Sequence, residues 1–255
     1  MGRSTEETTK TTSYDDLHSE EHNAVGIPKF IKPLTFITEN QKKWYDTLTK
    51  KENKIMMCHA VAGVGKTHVT LYSALEHVFQ KKRPQKTLII INPTVDVGNE
   101  NQLGFLPGSL DAKISNYNES AYYVLCKLMT KSRVDELVSK EKIQFRVLNF
   151  LRGVNLEDMV VVLDEAQNAS PRQLKTLITR INDNTKLIIQ GDLGQCDKYR
   201  HFEDSGFFDV WKRLKGVEGV DYMEFTPDDV IRSKIVKDVL TRYAEERNIV
   251  LNGFS

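Results

Sequence analysis

Apolar residues in this chain fall into short blocks, separated by longer stretches in which they recur at helical spacing. The blocks at Ile55–Cys58, Thr87–Ile91, Ile143–Val147, Met159–Leu163, Leu187–Gln190 and Tyr222–Phe225 read as strands, and several are apolar with almost no alternation. A strand that shows one face to water alternates apolar and polar positions, so an unbroken apolar run predicts a strand covered on both faces. Between the blocks, Thr67–Phe79, Ser120–Leu128, Pro171–Ile181, Phe207–Leu214 and Asp229–Glu246 carry the amphipathic pattern of helices. Strand then helix, repeated, predicts an α/β fold with a mostly parallel sheet and helices on both faces.

Boundary residues support these helices. Ser170-Pro171-Arg172-Gln173 offers a capping hydroxyl, a proline at the first helical position and a glutamine that completes a capping box. Thr226-Pro227-Asp228-Asp229 repeats the device ahead of the last helix, where Ile235, Val236, Val239, Leu240 and Tyr243 form one apolar stripe. Residues 1–25 are rich in Thr, Ser, Glu and Asp and poor in large apolar groups, which predicts a flexible polar tail ahead of one domain over 26–255.

Composition adds mainly exclusions. A chain of 255 residues, 40% hydrophobic and 28% charged, is an ordinary globular sequence. Its net charge of +1 supplies no global field toward nucleic acid or anionic membrane, so such a partner needs a local patch. Cys58, Cys126 and Cys196 lie far apart with no zinc-ligand spacing, which predicts buried free thiols rather than a disulfide framework. No window approaches the roughly 18–20 apolar residues a membrane helix needs, and no signal peptide is evident. A soluble protein of a cytoplasmic, reducing compartment is expected, with no membrane partner.

The stretch AVAGVGKT at 60–67 lies between the first strand and the first long helix. A phosphate cradle needs inward-turned backbone N–H groups, glycines that permit close approach, a lysine for the β- and γ-phosphates and a hydroxyl for bound magnesium. Ala62, Gly63, Val64 and Gly65 supply the backbone, Lys66 the amine and Thr67 the hydroxyl; the pattern departs at Ala60, where it asks for glycine. In VVVLDEAQN at 160–168, an apolar strand delivers Asp164 to a metal shell and Glu165 to an attacking water at its carboxyl end. In LIIQGDLGQCD at 187–197, another strand ends in a turn carrying Asp192 and Gln195, an amide placed to sense a γ-phosphate or orient water.

Together with NPTVDVGNENQLGFLPGSLDAK at 92–113, FLRGVNLEDM at 150–159 and DDVIRSKIV at 228–236, these motifs resemble the PhoH family of P-loop ATPases, relatives of the superfamily 1 helicase core. The resemblance covers roughly residues 35–245 and implies a single RecA-like P-loop NTPase domain that binds and hydrolyses ATP with Mg2+. It assigns Lys66 and Thr67 to phosphate and magnesium, Asp164 and Glu165 to metal and water, and Gln195 to the γ-phosphate. It further implies that Gln41 reads adenine and that Arg232 reaches a neighbouring subunit's nucleotide. Asn92 stands where the family commonly has arginine.

Helicase motors hold ATP between two RecA-like lobes, and one lobe nearly fills this chain, so the resemblance implies a homo-oligomer, a ring such as a hexamer. It also implies work on single-stranded nucleic acid, RNA rather than DNA. Lys81, Lys82, Arg83 and Lys86, and the aromatics Phe105, Tyr117, Tyr122 and Tyr123, are candidate strand-binding groups, with solvated charge and core packing as the competing explanations. A nucleotide-gated scaffold and a small-molecule kinase remain alternative functions.

Overall fold

A computed structural model describes residues 27–80, 87–93, 118–151 and 155–246. The expected tail, the basic cluster at 81–86, and Phe105 and Tyr117 lie outside the described residues. Six strands, β1 (Ile55–His59), β2 (Thr87–Asn92), β3 (Ile143–Val147), β4 (Met159–Leu163), β5 (Lys186–Gly191) and β6 (Val220–Glu224), form one sheet in the order β3-β2-β4-β5-β1-β6. Every pairing is parallel, with Met57 beside Ile189 and Tyr222, and Val162 beside Ile90 and Ile188.

Alternate residues of these strands enter two separate cores. Met56, Cys58, Leu88, Ile90, Val160, Val162 and Ile188 pack on one face, under α1 (Glu39–Thr49), α2 (Lys66–Phe79), α3 (Glu119–Leu128) and α4 (Lys131–Ser139). Ile55, Met57, Ile89, Ile91, Val161, Leu163, Leu187 and Ile189 pack on the other, under α5 (Pro171–Ile178) and α6 (Gly206–Arg213). Both faces being covered is why the central strands read as unbroken apolar runs.

The predicted strands match to within two residues at their ends, whereas two helical boundaries differ. The Ser170 capping box forms as expected, but α5 stops at Ile178 rather than at 181. The capping box of Thr226 and Asp229 also forms, yet it closes a short 3₁₀ turn at Pro227–Asp229; the last helix, α7 (Lys234–Glu246), begins later. Its apolar stripe is not buried: Ile235 is 68% exposed, and Val236 and Val239 are also exposed. Leu240 and Tyr243 lie outside the described side chains. Among the described residues, no helix is long and apolar enough to cross a membrane, and Cys58, Cys126 and Cys196 form no disulfide; Cys58 is buried as expected, whereas Cys126 and Cys196 are only half-buried.

Candidate active site

The carboxyl ends of β4, β5 and β1, three neighbouring strands, carry the three motifs. Past β1 the chain turns through Gly63 at φ 88° and Gly65 at φ 81°, left-handed conformations that disfavour a β-carbon. Gly65 is the N-cap of α2, which places Lys66 and Thr67 in that helix's first turn, where free N–H groups and the helix dipole favour an anion. Ala60 is fully buried, and its N–H donates to the Gly191 carbonyl at 3.1 Å, so the departure from glycine lies in the strand extension before the turn.

Thr67 Oγ1 donates to Asp164 Oδ2 at 3.1 Å, joining the P-loop to the end of β4. Asp164 Oδ1 accepts from the Glu165 N–H at 3.0 Å. Glu165 itself adopts φ 53°, one of three non-glycine residues with positive φ among those described, a conformation that costs about 1–2 kcal/mol. Its carboxylate accepts from Gln167 Nε2 at 2.7 Å, while Gln167 Oε1 accepts from the Asp192 N–H at 3.0 Å. Gln195 Nε2 donates to Asp192 Oδ2 at 2.8 Å, which tethers that amide to the end of β5.

The charges act on one another. Burial alone would push the Lys66 ammonium down, but the carboxylates of Asp164 and Glu165, with smaller help from Cys58 and Asp192, outweigh it and hold the amine above the ordinary lysine value. Burial, reinforced by the charge of Asp164, holds the Glu165 carboxyl above the usual glutamate range, against the pull of Lys66 and Gln167. A carboxylate with a raised proton affinity, close to a second acid and a lysine, suits abstraction of a proton from water.

Gln41 and Arg232 also reach the P-loop. Gln41 is 3% exposed; its Nε2 donates to the Val64 carbonyl at 2.8 Å and its Oε1 accepts from the Ile37 N–H at 2.7 Å. Both ends of the amide are therefore engaged within the chain. Arg232 lies over Gly63 of its own P-loop, its Cγ 2.8 Å from where a β-carbon on that glycine would stand, and the Ile231 N–H donates to the Gly63 carbonyl at 3.0 Å. Tyr122 is tied to Asp135 through its hydroxyl at 2.5 Å, whereas Tyr123 is 60% exposed with Lys127 Nζ 4.5 Å from its ring centre.

The sequence did not single out Gln167, Gln190, Trp44 or Thr70, although all four are buried at the site. Gln190 offered a signal, because a polar residue inside an otherwise apolar strand covered on both faces must find hydrogen-bond partners. Its amide donates to Thr67 Oγ1 at 3.1 Å and accepts from Thr70 Oγ1 at 2.7 Å.

The donor set fits magnesium. Thr67 Oγ1 and the Asp164 carboxylate offer adjacent hard oxygens beside the P-loop, and Mg2+ in nucleotide sites takes few protein oxygens and completes its shell with phosphate and water. Among the described residues no group of three or more His, Cys, Asp or Glu is placed to cage a metal unaided.

The chain is similar to known proteins in sequence and in fold. A "PhoH-like protein" from Bacillus subtilis (strain 168) is 30% identical over 235 residues, covering 91% of this chain and 70% of the relative. A "PhoH-like protein" from Mycobacterium tuberculosis (strain ATCC 25618 / H37Rv) is 33% identical over 216 residues, covering 85% of this chain but 58% of the relative. Among solved structures, the HK97 bacteriophage large terminase superimposes with a TM-score of 0.53 at 11% identity, over 87% of this chain and 50% of that one, a likeness of fold. The chain thus folds as a single RecA-like P-loop NTPase domain. Since the family model for PhoH-like proteins matches residues 32–244, spanning all three strand-end motifs, the chain belongs to the PhoH family.

Proposed function

We propose that this protein binds ATP with Mg2+ and hydrolyses it, and that oligomers of the chain couple hydrolysis to movement on, or remodelling of, single-stranded nucleic acid. The observation that carries the reading is the contact of Thr67 with Asp164 beside Lys66, which unites a phosphate cradle with a metal-binding carboxylate. In this assignment the P-loop backbone from Ala62 to Gly65, with Lys66, holds the phosphates, and Thr67 and Asp164 hold the magnesium. Bound there, magnesium would neutralise charge that develops on the phosphoryl oxygens. Glu165 takes a proton from the attacking water, whose oxygen bonds to the γ-phosphorus as the bond to the ADP oxygen breaks. Gln195 contacts the γ-phosphate, and Gln41 turns its amide from Val64 to the adenine edge.

Two surface features support assembly and strand binding. The exposed apolar residues of α7 begin three positions after Arg232, so a second copy seated on that face would border the nucleotide site that Arg232 covers. The resemblance implies an arginine finger acting on a neighbour's nucleotide, a contribution of roughly 10³–10⁵ in rate in other nucleotide hydrolases; Arg232 lies over its own Gly63, so it would reach a neighbour's nucleotide only by moving on assembly. Exposed Tyr123, with Lys127 over its ring, offers a base-stacking platform; burial, and after it the charge of Lys127, lowers the pKa of His68, next to Thr67.

The test is ATP turnover with RNA, with DNA and with no polymer, run beside a mass measurement in the presence of nucleotide. Stimulation by a single strand and a mass above that of one chain are expected. Turnover without stimulation by any strand removes the motor reading, and brisk turnover by a monomer removes the shared site. A nucleotide-gated scaffold would bind ATP without turning it over.

A further inference from the structure

We propose that Gln190 is a positioning residue that fixes the hydroxyl of Thr67 for the metal, with its own orientation set by Trp44 on α1. This inference rests on the nucleotide-hydrolysis reading above. Four side-chain hydrogen bonds run in series through the core. Trp44 Nε1 donates to Thr70 Oγ1 at 2.9 Å, Thr70 Oγ1 to Gln190 Oε1 at 2.7 Å, Gln190 Nε2 to Thr67 Oγ1 at 3.1 Å, and Thr67 Oγ1 to Asp164 Oδ2 at 3.1 Å.

The direction of this series is determined by its ends. An indole N–H only donates, so Thr70 must accept there and send its own proton onward. The oxygen of the Gln190 amide receives that proton, which turns the NH2 group, a donor only, toward Thr67. Thr67 accepts from it, and its hydroxyl proton goes to the carboxylate of Asp164, which accepts. One lone pair on Thr67 Oγ1 is thereby left for a metal ion, with the rotation of the hydroxyl held from both sides. Mg2+ demands near-ideal octahedral geometry at short distance, so a fixed ligand oxygen matters more for it than for a larger, more flexible ion.

Burial makes the series costly unless every member is paired. Trp44, Thr70 and Gln190 are fully buried, and each has its partner in the series. Leu187, Ile188 and Ile189, just before Gln190 on β5, show that apolar side chains pack well there. Position explains the choice of glutamine: Gln190 lies one residue past the Leu163–Ile189 pair, beside the strand end that carries Asp164, and on the face covered by α2.

The experiment is a Mg2+ titration of the binding of a fluorescent ATP analogue to the full chain, repeated in EDTA, for the wild type, Gln190→Met and Thr70→Val. Gln190→Met keeps the length of the side chain and removes both hydrogen bonds. Its Mg2+ midpoint is expected to rise roughly 10- to 100-fold, as with loss of other groups that orient a metal ligand, while affinity in EDTA stays at the wild-type level. A midpoint within about threefold of wild type overturns the proposal, as does equal weakening with and without Mg2+, the signature of lost packing. If Gln190→Met does not fold, Thr70→Val decides: it removes the hydroxyl that orients the amide, a smaller rise in midpoint is expected, and an unchanged midpoint overturns the proposal. Failure of the wild type to bind nucleotide overturns the hydrolysis reading and this inference together; wild-type binding with unshifted variants overturns this inference alone.

Discussion

Gln167 holds Glu165 from the side: its Nε2 donates to the Glu165 carboxylate at 2.7 Å while its Oε1 accepts from the backbone of Asp192 at 3.0 Å. The strand ends of β4 and β5 are thus linked through one buried amide, and Gly191 leaves room for it, since a β-carbon there would stand 2.7 Å from Gln167 Oε1. Gln167→Leu should lower kcat roughly 10- to 100-fold by releasing the base, with little effect on nucleotide binding. In its proposed role as base Glu165 works only when ionised, so turnover should be lost as pH falls through its pKa, which burial and Asp164 already hold above the ordinary glutamate value. The donor on Gln167 opposes that rise. Its removal should move the acid limb of the kcat/KM profile to higher pH, and an unmoved limb would mean that another group titrates there.

Replacement of the proposed base separates binding from chemistry. Glu165→Gln should reduce turnover by about 10²-fold or more while ATP still binds, read by single-turnover kinetics beside equilibrium binding. Unchanged turnover would show that water is activated elsewhere.

Gly65 tests the cradle. At φ 81°, with Gln41 Nε2 standing 2.8 Å from where a β-carbon would project, Gly65→Ala strains the turn and displaces Gln41. A loss of about 1–2 kcal/mol in unfolding free energy is expected, together with at least about tenfold weaker nucleotide binding.

His77 predicts a pH dependence of stability that is separate from catalysis. Burial pushes its pKa down from 6.5 to about 4, against the hydrogen bond of Nε2 to the Leu48 carbonyl at 3.0 Å, with Lys186 adding to the depression. The unfolded chain therefore takes up this proton first as pH falls. The stability contributed by the neutral ring is complete above about pH 6.5 and is lost progressively toward pH 4, by about 3.5 kcal/mol at most. Denaturant unfolding at several pH values should show this slope, reduced in His77→Gln.

Ile235 tests assembly. Because it is 68% exposed, Ile235→Glu should leave the stability of the folded chain within about 0.5 kcal/mol. The same change should lower the mass measured in the presence of nucleotide, and an unchanged mass would exclude α7 as the subunit contact.

Sequence alone determined the local elements and the motifs that meet at the strand ends. Unbroken apolar runs such as Val160–Leu163 and Leu187–Ile189 specify strands buried on both faces, because alternate side chains meet different cores. Glycines at 63 and 65, followed by Lys66 and Thr67, specify a turn and an anion-binding helix start through backbone geometry that only a few neighbouring residues set. Strand order, the placing of β5 between the P-loop strand and the Asp164 strand, and the series from Trp44 to Asp164 were decided by tertiary structure. Trp44 and Asp164 lie far apart in the chain, and whether two polar groups face each other across a core depends on how sheet and helices pack. The solvent exposure of the α7 stripe was likewise beyond the sequence, since spacing shows that Ile235, Val236 and Val239 share a face but not what that face meets.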